Sequence, residues 1–276
     1  MNWKKYEDEV YYECTRIYND AEIIRNTYVD GIYSKHKRQI DVLIKNALVE
    51  GVSTTIIVDA KFYNKKVDVK EVESFISMLK DTGADKGIIV TECGFTKTAI
   101  NRAHLGENNI EADIYCLQDF KQFQSLLAIP YSGSYGSVIQ SPFGWIIDGK
   151  RNIQALATLY KRGYSFEEAC KNKEFMYINY WIKDEEVASV DDLIKYQNKY
   201  IIDHVPNAII NVDESEFKIR SIKDKSYPAT EYTGYREFDD FILFIVLFSP
   251  ENISRRDINK MKFVLNSALP IRVRQQ

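Results

Sequence analysis

Residues 38–63 read RQIDVLIKNALVEGVSTTIIVDAKFY. Two runs rich in Val, Ile and Thr flank Glu50-Gly51, the composition of two strands joined by a short connection. Asp41 interrupts QIDVLI, Asp59 ends TTIIVDAK, and Lys61 follows two residues later. A carboxylate in a buried strand is costly unless it is paired, hydrogen-bonded or bound to a metal. Adjacent strands of a meander let the two acids face each other at the strand ends. Alternation of side chains places Lys61 on the same face as Asp59. Each residue alone reads as an ordinary surface charge or salt bridge. Together they form a group that can hold a divalent cation through hard oxygen ligands, Mg2+ or Mn2+ rather than zinc. Such a cation activates water and neutralises a phosphodiester, with the lysine serving the nucleophile.

Working outward, residues 3–18 carry apolar or aromatic side chains at helical spacing, and 21–29 reads as a strand. Residues 30–38 form a basic turn between that strand and the Asp41 strand. Residues 67–84 predict a helix closed by Gly83, and 86–92 a strand buried on both faces. A helix starting at Thr96 and a strand over 110–117 complete the order. A meander followed by two crossover units implies an α/β fold, a mixed sheet flanked by helices on both faces.

The texture changes at 124–137, where Pro130, Gly133, Gly136 and several serines gather. The expected domains are therefore 1–125 and 136–276, the second a separate α+β domain with no motif tied to chemistry. Within it SVIQSPFGWIID reads as a strand or hairpin and IQALATLYKRG (153–163) as a helix. Helices are also expected after Ser165, over 189–202 and over 254–269. Strands are expected at 176–183 and in AIINV, FKIRSI, ATEYTGYREF and FILFIVLF.

Of the 276 residues 45% are hydrophobic and 28% charged, as in a globular protein. The net charge of −3 excludes a generally basic coat for nucleic acid, so only local patches can bind a polyanion. Cys14, Cys93, Cys116 and Cys170 lie far apart without ligand spacing and read as free thiols of a cytoplasmic protein. No apolar run approaches the ~20 residues of a membrane-spanning helix.

Asp41, an 18-residue interval and Asp59-Ala60-Lys61 resemble the D-…-(D/E)-x-K signature of restriction-endonuclease-like nucleases. The surroundings are similar to the Mrr-like branch, related to type IV restriction enzymes and Holliday-junction resolvase-like proteins. YEDEV at 6–10, RQIDVLI and residues 68–103 carry this likeness, which covers about residues 3–120. It implies a Mg2+-dependent DNA endonuclease of restriction or phage defence, probed with Mn2+ as well. Asp41 and Asp59 would ligate the metal and Lys61 would serve the water. Relatives add an acid from the first helix, and Glu7 matches that position, with Glu9 as the alternative. The sequence departs from the pattern at Ile40, where relatives carry Pro, and at Asp59, where they often carry Glu or Gln.

Lys35, His36, Lys37 and Arg38 precede the Asp41 strand and are candidates to track DNA phosphates, with Gln39 as a further substrate contact. Thr91 and Thr96 flank a strand-to-helix turn where a phosphate could sit, although capping explains them as well. His104 and His204 read as structural or exposed. Two-strand cleavage and the general symmetry of assemblies suggest a homodimer. Two other readings stay open: a non-catalytic DNA-binding or sensor protein on the same fold, and a regulatory C-terminal half that binds a ligand or protein.

Overall fold

The computed structural model describes residues 2–104, 111–121, 126–148, 150, 154–214, 216–225 and 229–272. The chain forms two compact units, Met1–Phe123 and Gln124–Gln276.

The first unit runs α1 (Trp3–Ile17), β1 (Glu22–Asp30), β2 (Lys37–Val49), β3 (Val52–Lys61), α2 (Val69–Thr82), β4 (Lys86–Thr91), α3 (Lys97–His104), β5 (Glu111–Cys116) and α4 (Leu117–Lys121). Its sheet has the order β1-β2-β3-β4-β5. The meander β1-β2-β3 is antiparallel, whereas β4 and β5 add in parallel after helical crossovers. The expected mixed sheet flanked by helices is what forms. Glu50 and Gly51 both take positive φ, 54° and 77°, and so close the β2–β3 turn. Asn46, at φ 58°, sits in a bulge where the β2–β3 register shifts.

Ile57, Ile89 and Ile114 from the strands pack with Val72, Phe75, Ile76 and Leu79 of α2 and Ala99 and Ala103 of α3. Gly87 permits this approach, because a Cβ there would lie 2.5 Å from both Phe75 and Leu79. The alternate residues Ile56, Val58, Ile88 and Val90 are buried as well. Their face carries α1, which packs on β1 and β3 through buried Tyr6, Val10 and Cys14.

The second unit contains β6 (Leu127–Ala128), β7 (Tyr131–Ser132), β8 (Tyr135–Gln140), β9 (Trp145–Asp148), β10 (Ala157–Lys161), α5 (Phe166–Asn172), β11 (Phe175–Ile182), α6 (Val190–His204), β12 (Ile209–Glu214), β13 (Lys218–Lys223), β14 (Thr230–Glu237), β15 (Phe241–Ser249), α7 (Ser254–Ser267) and β16 (Leu269–Arg272). A seven-stranded sheet has the order β12-β13-β14-β15-β11-β10-β9, and a smaller one joins β16, β8 and β6. Its core gathers Leu159, Met176, Ile178, Leu243, Ile245 and Leu247 against Met261, Val264 and Leu265 of α7. SVIQSPFGWIID becomes two strands, β8 and β9, in different sheets.

One expected element is of the wrong type. Residues 157–161, read as helix, form strand β10 between β9 and β11. All five are buried, so the alternation that would mark a strand is absent. Thr158, Leu159 and Tyr160 suit a strand once both neighbours supply the ladder. Residue 153 of that expected helix lies outside the described residues.

Candidate active site

The site is built where β2 and β3 part. Their register runs Ile44↔Ile56, Leu43↔Ile57, Val42↔Val58, and Asp41 and Asp59 are the next residues on the two strands, just past the last pair. Asp41 Oδ2 accepts a hydrogen bond from the Ala60 N–H at 2.8 Å. On its other side the β1 pairing passes from Arg25↔Val42 to Thr27↔Ile40, skipping Asn26 and Asp41. Asn26 has φ 47°, a left-handed conformation that Asn tolerates better than most residues. Ile24 and Val29 pack in the same cluster although five residues apart, and so do Leu43 and Ile40. Odd separations point to opposite faces in a regular strand. The β1–β2 ribbon therefore bends at Asn26 and Asp41.

Asp59 and Lys61 share the face that α2 covers, and Lys61 Nζ lies 2.8 Å from Asp59 Oδ2. The Asp59 side chain is only 15% exposed. Burial pushes its pKa up to about 6, Lys61 opposes the rise, and Asp41 adds to it. Burial works against the Lys61 charge, but Asp59 above all, with Tyr63 and Glu71, outweighs burial and holds its pKa above the ordinary value.

Glu7 approaches from α1. Burial raises its pKa first, and repulsion from Asp41 raises it further while Arg25 opposes. Arg25 also pairs with Asp8 on the next position of α1, and Tyr6 packs against Phe62 with ring centroids 5.3 Å apart. Helix α1 is thus tied to β1 and to the end of β3, beside the two aspartates. Glu9 is half-buried and acts electrostatically on Tyr6.

Two residues without a role in the sequence reading complete the surroundings of Lys61. Glu71 Oε2 lies 3.9 Å from Lys61 Nζ, and the Tyr63 O–H donates to Glu71 Oε2 at 3.3 Å. Glu71 lies in the first turn of α2, which Asp68 caps by accepting from the Lys70 and Glu71 N–H groups. Val67 docks that cap: its N–H donates to Gly94 O and its carbonyl accepts from the Thr96 N–H, both at 3.0 Å. An N-cap Asp seven residues past Lys61 was the available signal that α2 begins beside the lysine.

The basic turn lies elsewhere. Asp81, near the C-terminus of α2, accepts from the N–H groups of Tyr33 (3.0 Å) and Ser34 (2.9 Å) and from the Ser34 hydroxyl (2.6 Å). Arg38 Nε is 3.6 Å from Asp81 Oδ2, and Lys35 and Lys37 are exposed. Asp81 follows Glu71 by ten residues, roughly 15 Å along the helix. The anchor of Lys35, His36, Lys37 and Arg38 is therefore at the far end of α2 from Lys61. Gln39 is exposed and pairs with Tyr28. Thr96 caps α3 by accepting from the Ala99 N–H at 3.2 Å, and Thr91 is fully buried. His104 is buried, while His204 is exposed and stacked on Tyr200.

Among the described residues no three His, Cys, Asp or Glu side chains converge as a cation cage. The donor chemistry fits a hard cation all the same. Two carboxylates meet at one strand end, and their mutual repulsion with burial disfavours the ionised Asp59. A divalent cation between them would relieve that repulsion.

Residues 22–125 match the Mrr catalytic family, described as restriction endonuclease. Among solved structures, the chain resembles a crystallised protein of unknown function at 18% identity, covering 40% of this chain and 57% of that one, with a TM-score of 0.32. It resembles the DNA modification-dependent restriction endonuclease AspBHI at 19% identity, covering 42% of this chain and 29% of that one, with a TM-score of 0.31. It also resembles the solution structure of cyanobacterial PsbP (CyanoP) from Synechocystis sp. PCC 6803 at 14% identity, covering 54% and 94%, with a TM-score of 0.31. The matches span less than two thirds of the first two of these proteins. No curated protein matches the chain. Residues 22–125 of this chain are a restriction-endonuclease domain of the Mrr catalytic family.

Proposed function

We propose that the N-terminal unit is a metal-dependent DNA endonuclease that hydrolyses phosphodiester bonds. Its central support is the position of Asp59, next to the Ala60 N–H that Asp41 accepts and 2.8 Å from the Lys61 ammonium. Asp41 and Asp59 would hold Mg2+ or Mn2+, with Glu7 joining from α1. When bound, the cation supplies an activated water and charge neutralisation at the scissile phosphate. Lys61 meets that phosphate as an ammonium, so its part is to orient the nucleophile and to stabilise developing negative charge. The bend at Asp41 and the Ala60 N–H keep the Asp41 carboxylate turned toward β3.

Incubation of supercoiled plasmid with protein and Mg2+ or Mn2+ tests this reading. Asp59→Ala and Lys61→Ala are expected to slow nicking about a hundredfold or more. Equal nicking by wild type and both variants would end the assignment. The same reading carries a homodimer that cuts both strands, a role in restriction or phage defence, and a cytoplasmic setting. No helix among the described residues is long and apolar enough to cross a membrane. Sedimentation of the purified chain and phage plating on cells with and without Lys61→Ala check the first two.

A further inference from the structure

Among the described residues the Lys61 ammonium has three neighbours. Asp59 Oδ2 lies at 2.8 Å, Glu71 Oε2 at 3.9 Å, and the Tyr63 ring centroid at 6.0 Å. The Tyr63 hydroxyl donates to the same Glu71 oxygen at 3.3 Å. The Glu71 backbone is fixed, because its N–H is held by Asp68 Oδ1 at 3.3 Å in the first turn of α2. Asp59 is therefore the close partner of Lys61 and Glu71 a second acceptor, built into a different element and just beyond hydrogen-bond reach.

Asp59 is also the carboxylate that the proposed cation needs. A metal ion and an ammonium on one carboxylate repel each other, and at a partly buried site water screens that repulsion poorly. The ammonium must then leave Asp59, and Glu71 is the anion within reach of a side-chain rotation.

We propose that Glu71, steadied by Tyr63, is a positioning residue that takes over the Lys61 ammonium when Asp59 turns to the cation. The proposal rests on the metal-dependent reading above. With Glu71 in place, cation binding leaves Lys61 paired and ordered beside the site. Without it, Lys61 stays on Asp59 and competes with the cation.

Mn2+ titration of the full chain, followed by the electron paramagnetic resonance signal of free Mn2+, tests this in a double-mutant cycle. Glu71→Gln is expected to raise the Kd about three- to tenfold. Tyr63→Phe raises it less, in the same direction. In a Lys61→Met background, which keeps the apolar stem, Glu71→Gln changes the Kd by less than about twofold. Thermal melts of each variant confirm that the compared chains are folded. Equal penalties with and without Lys61 would mean that Glu71 acts only as a distant negative charge, and would overturn the proposal. A wild type that binds no Mn2+ would bring down the metal reading and this proposal together. Additivity in a chain that does bind Mn2+ brings down the proposal alone.

Discussion

Asp41 Oδ2 accepts the Ala60 N–H at 2.8 Å where the β2–β3 ladder ends, so one carboxylate both finishes a strand and lies beside the residue that follows Asp59. The two duties separate by substitution. Asp41→Ala leaves the Ala60 N–H without its acceptor and is expected to cost about 1–3 kcal/mol in urea unfolding. Asp41→Asn keeps a carbonyl oxygen for that bond, so it should unfold near wild type while binding Mn2+ at least about tenfold more weakly. If Asn and Ala unfold alike, the hydrogen bond does not hold the strand end.

Mn2+ should stabilise the fold in a pH-dependent way. Burial first, then Asp41, lifts the Asp59 pKa to about 6 against the pull of Lys61. Below that value Asp59 is mostly protonated and a cation must displace the proton; above it the carboxylate is ionised. In the metal-free chain the sign is the reverse: the stability Asp59 gains from its raised pKa is full below its ordinary value of 3.8 and is lost as pH rises through about 6. At a hundredfold excess over Kd, Mn2+ should add about 2.7 kcal/mol at pH 7.5 and much less at pH 5. Thermal melts at the two pH values, with and without Mn2+, measure the difference. An equal Mn2+ shift at both would contradict it.

The tip of the β1–β2 ribbon depends on Gly31. A Cβ there would lie 2.2 Å from Ser34 Oγ and 2.6 Å from Asp81 Oδ2. Gly31→Ala must push Ser34 off Asp81 and is expected to cost about 1–3 kcal/mol by overpacking. Hydrogen bonds from Ser34 and Tyr33 hold the Asp81 carboxyl below its ordinary pKa. Its stabilising effect is therefore complete above the ordinary carboxylate value and is lost as pH falls through the depressed one. Asp81→Asn should flatten the acid limb of the stability profile. An unchanged acid limb would show that this docking contributes nothing.

In the second unit Lys161 and Glu174 are 3% and 4% exposed, with Nζ and Oε1 2.9 Å apart. Arg256 adds a 3.0 Å contact to the same Glu174 oxygen. Burial raises the Glu174 pKa and lowers that of Lys161, each opposed by its partner. Glu174→Gln leaves the Lys161 ammonium buried without its carboxylate and should cost about 3–5 kcal/mol, whereas Lys161→Met leaves Glu174 paired with Arg256 and should cost less. The two together should cost less than the sum of the singles by about 0.5–3 kcal/mol. Strict additivity in denaturant titrations would show that the ions do not act as a pair.

Much of the geometry of the candidate site was legible because its core is local. Side-chain alternation set Asp59 and Lys61 on one face, and a short turn placed the Asp41 strand beside them. Helix starts were legible for the same reason: Ser165 with Glu168 and Ser189 at the head of α6 form reciprocal caps within four residues. Strand β10 was not legible, since uniform burial removes the alternation by which strands are recognised. Glu71 and Tyr63 were missed because their importance lies in reaching Lys61, and Glu71 does so from another element. The basic turn looked adjacent to the candidate site in sequence, yet Tyr33 and Ser34 bond Asp81 at the C-terminal end of α2.

The sequence by itself determined the meander, the crossovers and the placing of Asp41, Asp59 and Lys61 on two neighbouring strands. Those follow from alternation, turn composition and cap chemistry, which act over a few residues. Only the tertiary structure decided that Glu7 would come within electrostatic range of Asp41, that Glu71 would stand 3.9 Å from Lys61, and that the basic turn would dock on Asp81. These depend on where helices α1 and α2 come to rest on the sheet, a matter of packing between residues far apart in the chain.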